Sequence, residues 1–305
     1  MYILEPISKE RIWGTPRLHG YNGAEEIERI GSVYSASAIA EIDCRLEEFE
    51  GNITLGKLIK DNPAAFGLCE GEVYPLIISF TACDDNLSIQ VHPTDDFAQK
   101  NEGMPYGKSE AWYFLSSPEA GWIYAGQQLK DKNRIEAAVK DNQYKDVLNE
   151  YSVTEKELIY IPSGTIHALT KGSLVYEIQQ ATDITYRFYD YDRKDQNGKK
   201  RELHVEKALS TLIPQQEVKK DTFLIGQEAK FREFSITHFI PENVLENPNN
   251  IASIVTVLSG EIIVENSTLT AGRSLLLMPK EKVQVQGSGE CVLAVPYRYW
   301  GEIAD

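Results

Sequence analysis

Two histidines and one glutamate occupy the places where short strands begin or end. His92 closes the run Leu87-Ser88-Ile89-Gln90-Val91-His92 and is followed by Pro93, Glu110 opens a strand after the turn Gly107-Lys108-Ser109, and His167 follows Ile159-Tyr160-Ile161 and the turn Pro162-Ser163-Gly164. Side chains alternate along a strand, so Ser88, Gln90 and His92 share one face while Leu87, Ile89 and Val91 share the other. Pro93 cannot donate to a ladder, so the strand stops there and leaves the His92 imidazole at a sheet rim. Glu110 shares its face with Trp112 and Phe114, an apolar setting in which a carboxylate needs a cation. His92, Glu110 and His167 together form a ligand set suited to zinc with one coordination position left open.

These residues need strands to carry them. The apolar run over residues 74–82 predicts a buried strand, and the turn Asp84-Asp85-Asn86 predicts a hairpin between it and the His92 strand. Residues 1–35 carry little regular pattern and are expected to wrap the domain, with a strand over 35–42 continuing through 44–46 and a short helix over 55–62 ended by Pro63. Further strands are expected over 111–115, 122–126, 157–161, 174–179 and 184–190, and a helix over 203–212. Between residues 130 and 150, Ile135, Ala138, Val139, Val147 and Leu148 recur at helical spacing, which predicts a helical insertion. The charged stretch 217–220 is expected to be a linker. It divides a metal-binding domain, residues 1–216, from a second domain, residues 222–305. The second domain again reads as short strands between turns, over 232–240, 251–258, 261–264, 274–278 and 292–296, the pattern of a sandwich or barrel. Leu275-Leu276-Leu277-Met278-Pro279 echoes Leu158-Ile159-Tyr160-Ile161-Pro162, but continues without a histidine, so no metal is expected there.

The formal net charge of −15 argues against a nucleic-acid partner and against an anionic membrane surface. An anionic substrate would need a locally positive site. The four cysteines, Cys44, Cys69, Cys83 and Cys291, are far apart and form no paired motif, as expected of reduced thiols. No basic segment followed by an apolar run opens the chain, and no apolar run reaches membrane-spanning length, so a soluble cytoplasmic protein is expected.

Four ordered motifs carry a family resemblance: Leu87 to Pro93, Gly107 to Glu110, Pro162 to His167, and Tyr186-Arg187-Phe188-Tyr189-Asp190-Tyr191-Asp192-Arg193. They resemble the signatures of the short bacterial type I mannose-6-phosphate isomerases, zinc-dependent cupins, from about residue 70 to about residue 210. The resemblance implies a mainly β protein of two cupin-type jelly-roll barrels. It implies one Zn2+ per chain, held by His92, Glu110 and His167, with Arg187 as the active-site arginine. Gln90 matches a residue that also binds the zinc in longer relatives. Family members usually have a Glu and a Trp where this chain has Ser32 and Tyr34, and many carry a Lys where Ser79 stands.

The residues fit that chemistry on their own terms. Interconverting a 2-hydroxy aldose and a ketose moves a proton between neighbouring carbons through an enediol, whose oxygens carry developing negative charge. A metal with an open position or a guanidinium stabilises that charge. Arg187 shares a strand face with Thr185 and Tyr189 and is assigned this catalytic part, the alternative being an ion pair with Asp190 or Asp192. Lys108 suits a sugar oxygen or a phosphate, the alternative being a solvated lysine, and Gln90 and Arg193 are the further candidates for substrate binding. Three other activities fit the same ligands: a cupin isomerase of another sugar, an iron-dependent cupin oxygenase, and a sugar-binding or sensing cupin without turnover.

Overall fold

Apolar and polar residues alternate over short stretches that are cut by Gly, Pro and Asp-Asn turns. The result is strands of 3 to 9 residues, such as Tyr2–Leu4 and Ile7–Thr15. A computed structural model of the chain describes residues 1–49, 51–194 and 198–298. Its contacts separate two units, one made of residues 11–15 and 81–222, the other of residues 1–10, 16–80 and the chain from 223 onward.

The unit around residues 81–222 is a pair of antiparallel sheets. One runs in the order Lys219–Thr222, Glu157–Ile161, Glu110–Ser116, Leu174–Gln180. The other runs Tyr186–Tyr189, Ile89–Val91, Ile166–Ala168, Trp122–Gln127, Leu148–Ser152. Trp112, Phe114, Ile123, Ile159 and Val175 form a core joined by Trp13. The back of the second sheet, Ile89, Val91, Ile166, Ala168 and Phe188, is covered by Ile135 and Val139 of the helix Lys132–Lys140 and by Ala208 and Leu209 of the helix Val205–Thr211. Burying each large apolar side chain there contributes roughly 1.5–3 kcal/mol. The expected helical insertion therefore backs the sheet that carries His167.

The other unit stacks its sheet order Tyr2–Leu4, Ser274–Leu277, Ser253–Ser259, Glu290–Pro296, Phe234–Phe239, Glu228–Lys230 together with a four-stranded sheet that includes Lys282–Gly287 and Glu261–Val264. Val255, Val257, Ile262, Val264, Leu275 and Leu277 fill its core.

Several local expectations differ from this architecture. Leu76–Ala82 and Ile89–Val91 lie in different sheets and do not form a hairpin, because the chain crosses between layers at the Asp84-Asp85-Asn86 turn. Residues 1–35 contain the strands Tyr2–Leu4 and Ile7–Thr15 and most of Ile30–Ala36, and Tyr2–Leu4 pairs with Ser274–Leu277, a partner no local pattern reveals. The strand expected over 35–42 and 44–46 ends at Ala36 and gives way to a helical turn, Ala40–Ile42. Lys219–Thr222 is a strand on Glu157–Ile161 where a linker was expected. A helix, Asp95–Glu102, follows the His92 strand, started by the Thr94 hydroxyl accepting from the Phe97 N–H and ended at Gly103, whose φ is 65°. A unit boundary falls between Thr222 and Phe223, and most of residues 1–80 groups with the C-terminal strands.

Candidate metal and substrate site

Register builds the site. Arg187 lies opposite Gln90, and Gln90 lies opposite His167. Directly opposed residues of antiparallel strands point to the same side, so the three form a row across one sheet. Glu110 faces that row from the first position of its strand, and His92 stands one residue beyond Ile89–Val91. Glu110 Oε2 is 3.4 Å from His92 Nε2 and 3.4 Å from Lys108 Nζ, while Glu110 Oε1 is 3.4 Å from His167 Nε2. The donor atoms of His92, Glu110 and His167 lie within 4.8 Å of one another, the one such cluster among the described residues. Gln90 Nε2 approaches His167 Nε2 at 3.3 Å.

Both imidazoles are oriented from behind. Carbonyl oxygens only accept, so the 2.9 Å contacts from His92 Nδ1 to Ile184 O and from His167 Nδ1 to Thr165 O place the ring protons on Nδ1 and leave each Nε2 lone pair facing Glu110. Burial, reinforced by the Lys108 charge, brings the His92 pKa down to about 3, and burial lowers that of His167 too. Burial also opposes the Glu110 charge, yet the carboxyl is held well below the usual range, with the Lys108 ammonium beside it the largest influence in that direction. The result is two neutral imidazoles and one carboxylate, the ionisation state that ligation requires.

The donor set fits a divalent cation. Both Glu110 oxygens and His92 Nε2 are buried without a hydrogen-bond partner. Leaving such groups unsatisfied costs about 1–3 kcal/mol each, more for charged ones. Donors at ~2.0–2.1 Å from a tetrahedral zinc lie about 3.4 Å from one another, which is the spacing found between Glu110 and each histidine.

The remaining expected residues divide. Lys108 is not a solvated lysine but a buried one, 7% exposed. Arg187 is half-buried and its Nε has no partner. The carboxylates considered as its alternative partners are engaged elsewhere. Asp190 accepts from Arg193 Nη2 at 2.5 Å and from Arg201 Nε at 2.7 Å, and Asp192 pairs with Lys200. Arg193 also donates to Asn86 O at 2.5 Å and lies over the Tyr191 ring, 5.0 Å from its centroid.

Sequence reasoning missed Glu177. It sits opposite Trp112 in the ladder and accepts from Trp112 Nε1 at 3.2 Å and from Thr81 Oγ1 at 2.8 Å. The Trp112 ring in turn meets His167 edge-on, with centroids 5.5 Å apart. Burial, then the nearby Glu110 charge, raises the Glu177 pKa. The available signal was a carboxylate in mid-strand on the face shared with Val175 and Gln179.

No protein-family model matches the chain. Over 212 residues, 69% of its length, it is 36% identical to a probable mannose-6-phosphate isomerase of Bacillus subtilis (strain 168), covering 67% of that protein. It is 34% identical over the same shares to the mannose-6-phosphate isomerase ManA of that strain. The crystal structure of the mannose 6-phosphate isomerase from Bacillus subtilis superposes with a TM-score of 0.82 at 28% identity, over 96% of this chain and 98% of that one. The fold is thus mainly β and of cupin type, with a buried His-Glu-His cluster inside one of its units. The chain belongs to the mannose-6-phosphate isomerase family.

Proposed function

We propose that this protein is a metal-dependent aldose-ketose isomerase that interconverts mannose 6-phosphate and fructose 6-phosphate. One observation carries the reading: three buried donor residues spaced for a tetrahedral cation, with both Glu110 oxygens and His92 Nε2 lacking a hydrogen-bond partner, stand between a buried lysine and an arginine with an unpartnered Nε. His92, Glu110 and His167 would hold one divalent ion per chain, and their two nitrogens and one carboxylate suit zinc. When bound, the ion supplies a Lewis acid for the sugar oxygens that become negative as the enediol forms.

The chain's own residues do the rest. Lys108 holds a positive charge beside Glu110 and offers N–H donors to a sugar oxygen. Arg187, across the ladder from Gln90, offers its guanidinium to the enediolate from the other side. Gln90 orients a substrate hydroxyl next to His167. In a chain of net charge −15, Lys108, Arg187 and Arg193 supply the local positive field that a sugar phosphate needs. The free thiols of Cys44, Cys69, Cys83 and Cys291 fit a reducing, cytoplasmic setting.

The test is a coupled assay of fructose 6-phosphate formation, with mannose 6-phosphate and unphosphorylated mannose offered in parallel to the metal-loaded protein. Turnover with a strong preference for the phosphorylated sugar supports the proposal. Absence of turnover with mannose 6-phosphate would sink it.

A further inference from the structure

The three segments that carry the metal-ligand side chains are joined behind the site by a closed chain of hydrogen bonds. Gly164 N–H donates to His92 O at 2.9 Å, tying the His167 turn to the His92 strand. Next to it, Ser163 N–H donates to Ser109 Oγ at 3.1 Å, tying that turn to the residue before Glu110. Ser109 N–H donates to Gln180 Oε1 at 2.7 Å, and Gln180 Nε2 donates to Asp95 Oδ1 at 2.9 Å. The same Asp95 oxygen accepts from Gly107 N–H at 2.8 Å, one residue before Lys108. Asp95 is three residues from His92, so the backbone closes the ring.

Backbone packing makes this contact intimate. A Cβ on Gly107 would stand 2.5 Å from Pro93 O and 2.7 Å from Asp95 N, so only glycine allows the Lys108 segment to lie this close to the end of the His92 strand. Lys108 N–H completes the seam by donating to Pro93 O at 3.0 Å. Both Asp95 and Gln180 are buried, at 9% and 1% exposure, and neither belongs to the His-Glu-His cluster.

We infer that Asp95 and Gln180 are positioning residues for the isomerase site: through this ring they set Lys108 and Glu110 against His92 and His167. The inference rests on the metal-dependent reading given above. The direction of the ring is fixed by chemistry. Asp95 Oδ1 receives two donors, so the Gln180 amide must present its NH₂ to Asp95 and its oxygen to Ser109. An acceptor in place of that NH₂ would oppose the Asp95 oxygen, and a side chain without an oxygen at position 95 would orphan two buried donors.

The experiment compares Asp95→Ala, Asp95→Asn, Gln180→Glu and Ser109→Ala with the natural protein. The readouts are zinc affinity by chelator competition, kcat and KM at saturating metal, and melting temperature. Asp95→Ala and Gln180→Glu should weaken zinc binding and lower kcat by about 10- to 100-fold, the range typical of residues that orient metal ligands, with KM within about threefold. Asp95→Asn keeps the Oδ1 acceptor and should stay within about threefold of the natural protein in both. If the two disruptive variants fail to fold, Ser109→Ala, which removes one link only, should still weaken zinc binding by about 3- to 10-fold.

Folded Asp95→Ala with a lower melting temperature but unchanged zinc affinity and kcat would assign these residues to stability alone and overturn the inference. So would Asp95→Asn as impaired as Asp95→Ala, or Ser109→Ala with unchanged zinc affinity where it alone can be measured. A natural protein that binds no divalent metal would instead overturn the reading on which the inference rests.

Discussion

Arg187 stands directly across the antiparallel ladder from Gln90, whose amide nitrogen lies 3.3 Å from His167 Nε2. The guanidinium is thus on the same side of its sheet as His167, with an Nε that no carboxylate occupies. Arg187→Ala should lower kcat by about 10²- to 10³-fold, the loss typical for one donor to a developing oxyanion. Metal content should stay at the natural level, because Arg187 ligates nothing. Near-normal turnover in the variant would contradict the assignment.

Lys108 keeps Glu110 charged when no cation is present. Replacing it by Met leaves a buried carboxylate without its nearest fixed charge, a change that typically costs about 3–5 kcal/mol. The metal-free Lys108→Met protein should therefore melt well below the metal-free natural protein, and added zinc should recover most of the difference. Equal melting temperatures without metal would show that Lys108 does not support Glu110.

Arg193 joins Asn86, Asp190 and the Tyr191 ring, so its side chain braces the turn after Tyr186–Tyr189 as well as adding positive charge. Hydrogen bonds involving charged groups contribute about 1.5–3 kcal/mol. Arg193→Ala should lower thermal stability and raise KM for mannose 6-phosphate more than KM for mannose. An unchanged ratio of the two KM values would confine Arg193 to bracing.

Acid should destabilise the metal-free protein in a defined window. The folded chain holds the His92 pKa down to about 3 by burial, against 6.5 ordinarily, so between these values the unfolded chain binds more protons. Stability is then fully present above about 6.5 and falls as pH drops toward 3, with Glu110, also lowered, adding to the loss below its ordinary 4.5. Glu177 works in the opposite direction, because its raised pKa keeps a proton that the unfolded chain releases above 4.5. Melting temperatures measured from pH 7 to pH 4 should decline, and His92→Asn should flatten the decline. A profile as steep in His92→Asn as in the natural protein would remove His92 as its source.

The His92, Glu110 and His167 cluster was legible in the sequence because each residue sits where a strand meets Pro or a Gly turn, and such places show in a local pattern. The order of the sheets was not. Residues 74–82 and 87–92 look like a hairpin because the turn between them is short, yet the layers they join are chosen by burial on both sides of the chain. The helix Asp95–Glu102 carried its signals, Thr94 at the start and Gly103 at the end, but only Ala98 among its apolar residues is buried, so no helical period marked it. Glu177, Asp95 and Gln180 were invisible for another reason. Their partners Thr81, Gly107 and Ser109 lie 96, 12 and 71 residues away, and hydrogen bonds across such separations leave no spacing to read.

The central claim is that His92, Glu110 and His167 hold the metal on which isomerisation depends. The most direct measurement strips the protein with a chelator, then titrates zinc back while recording bound metal and mannose 6-phosphate isomerisation together, in the natural protein and in His92→Ala. The account predicts that activity disappears on stripping and returns in proportion to zinc up to about one equivalent per chain, the capacity of one three-ligand site, while His92→Ala recovers neither. Full activity in the stripped natural protein, or full zinc binding and activity in His92→Ala, would contradict it.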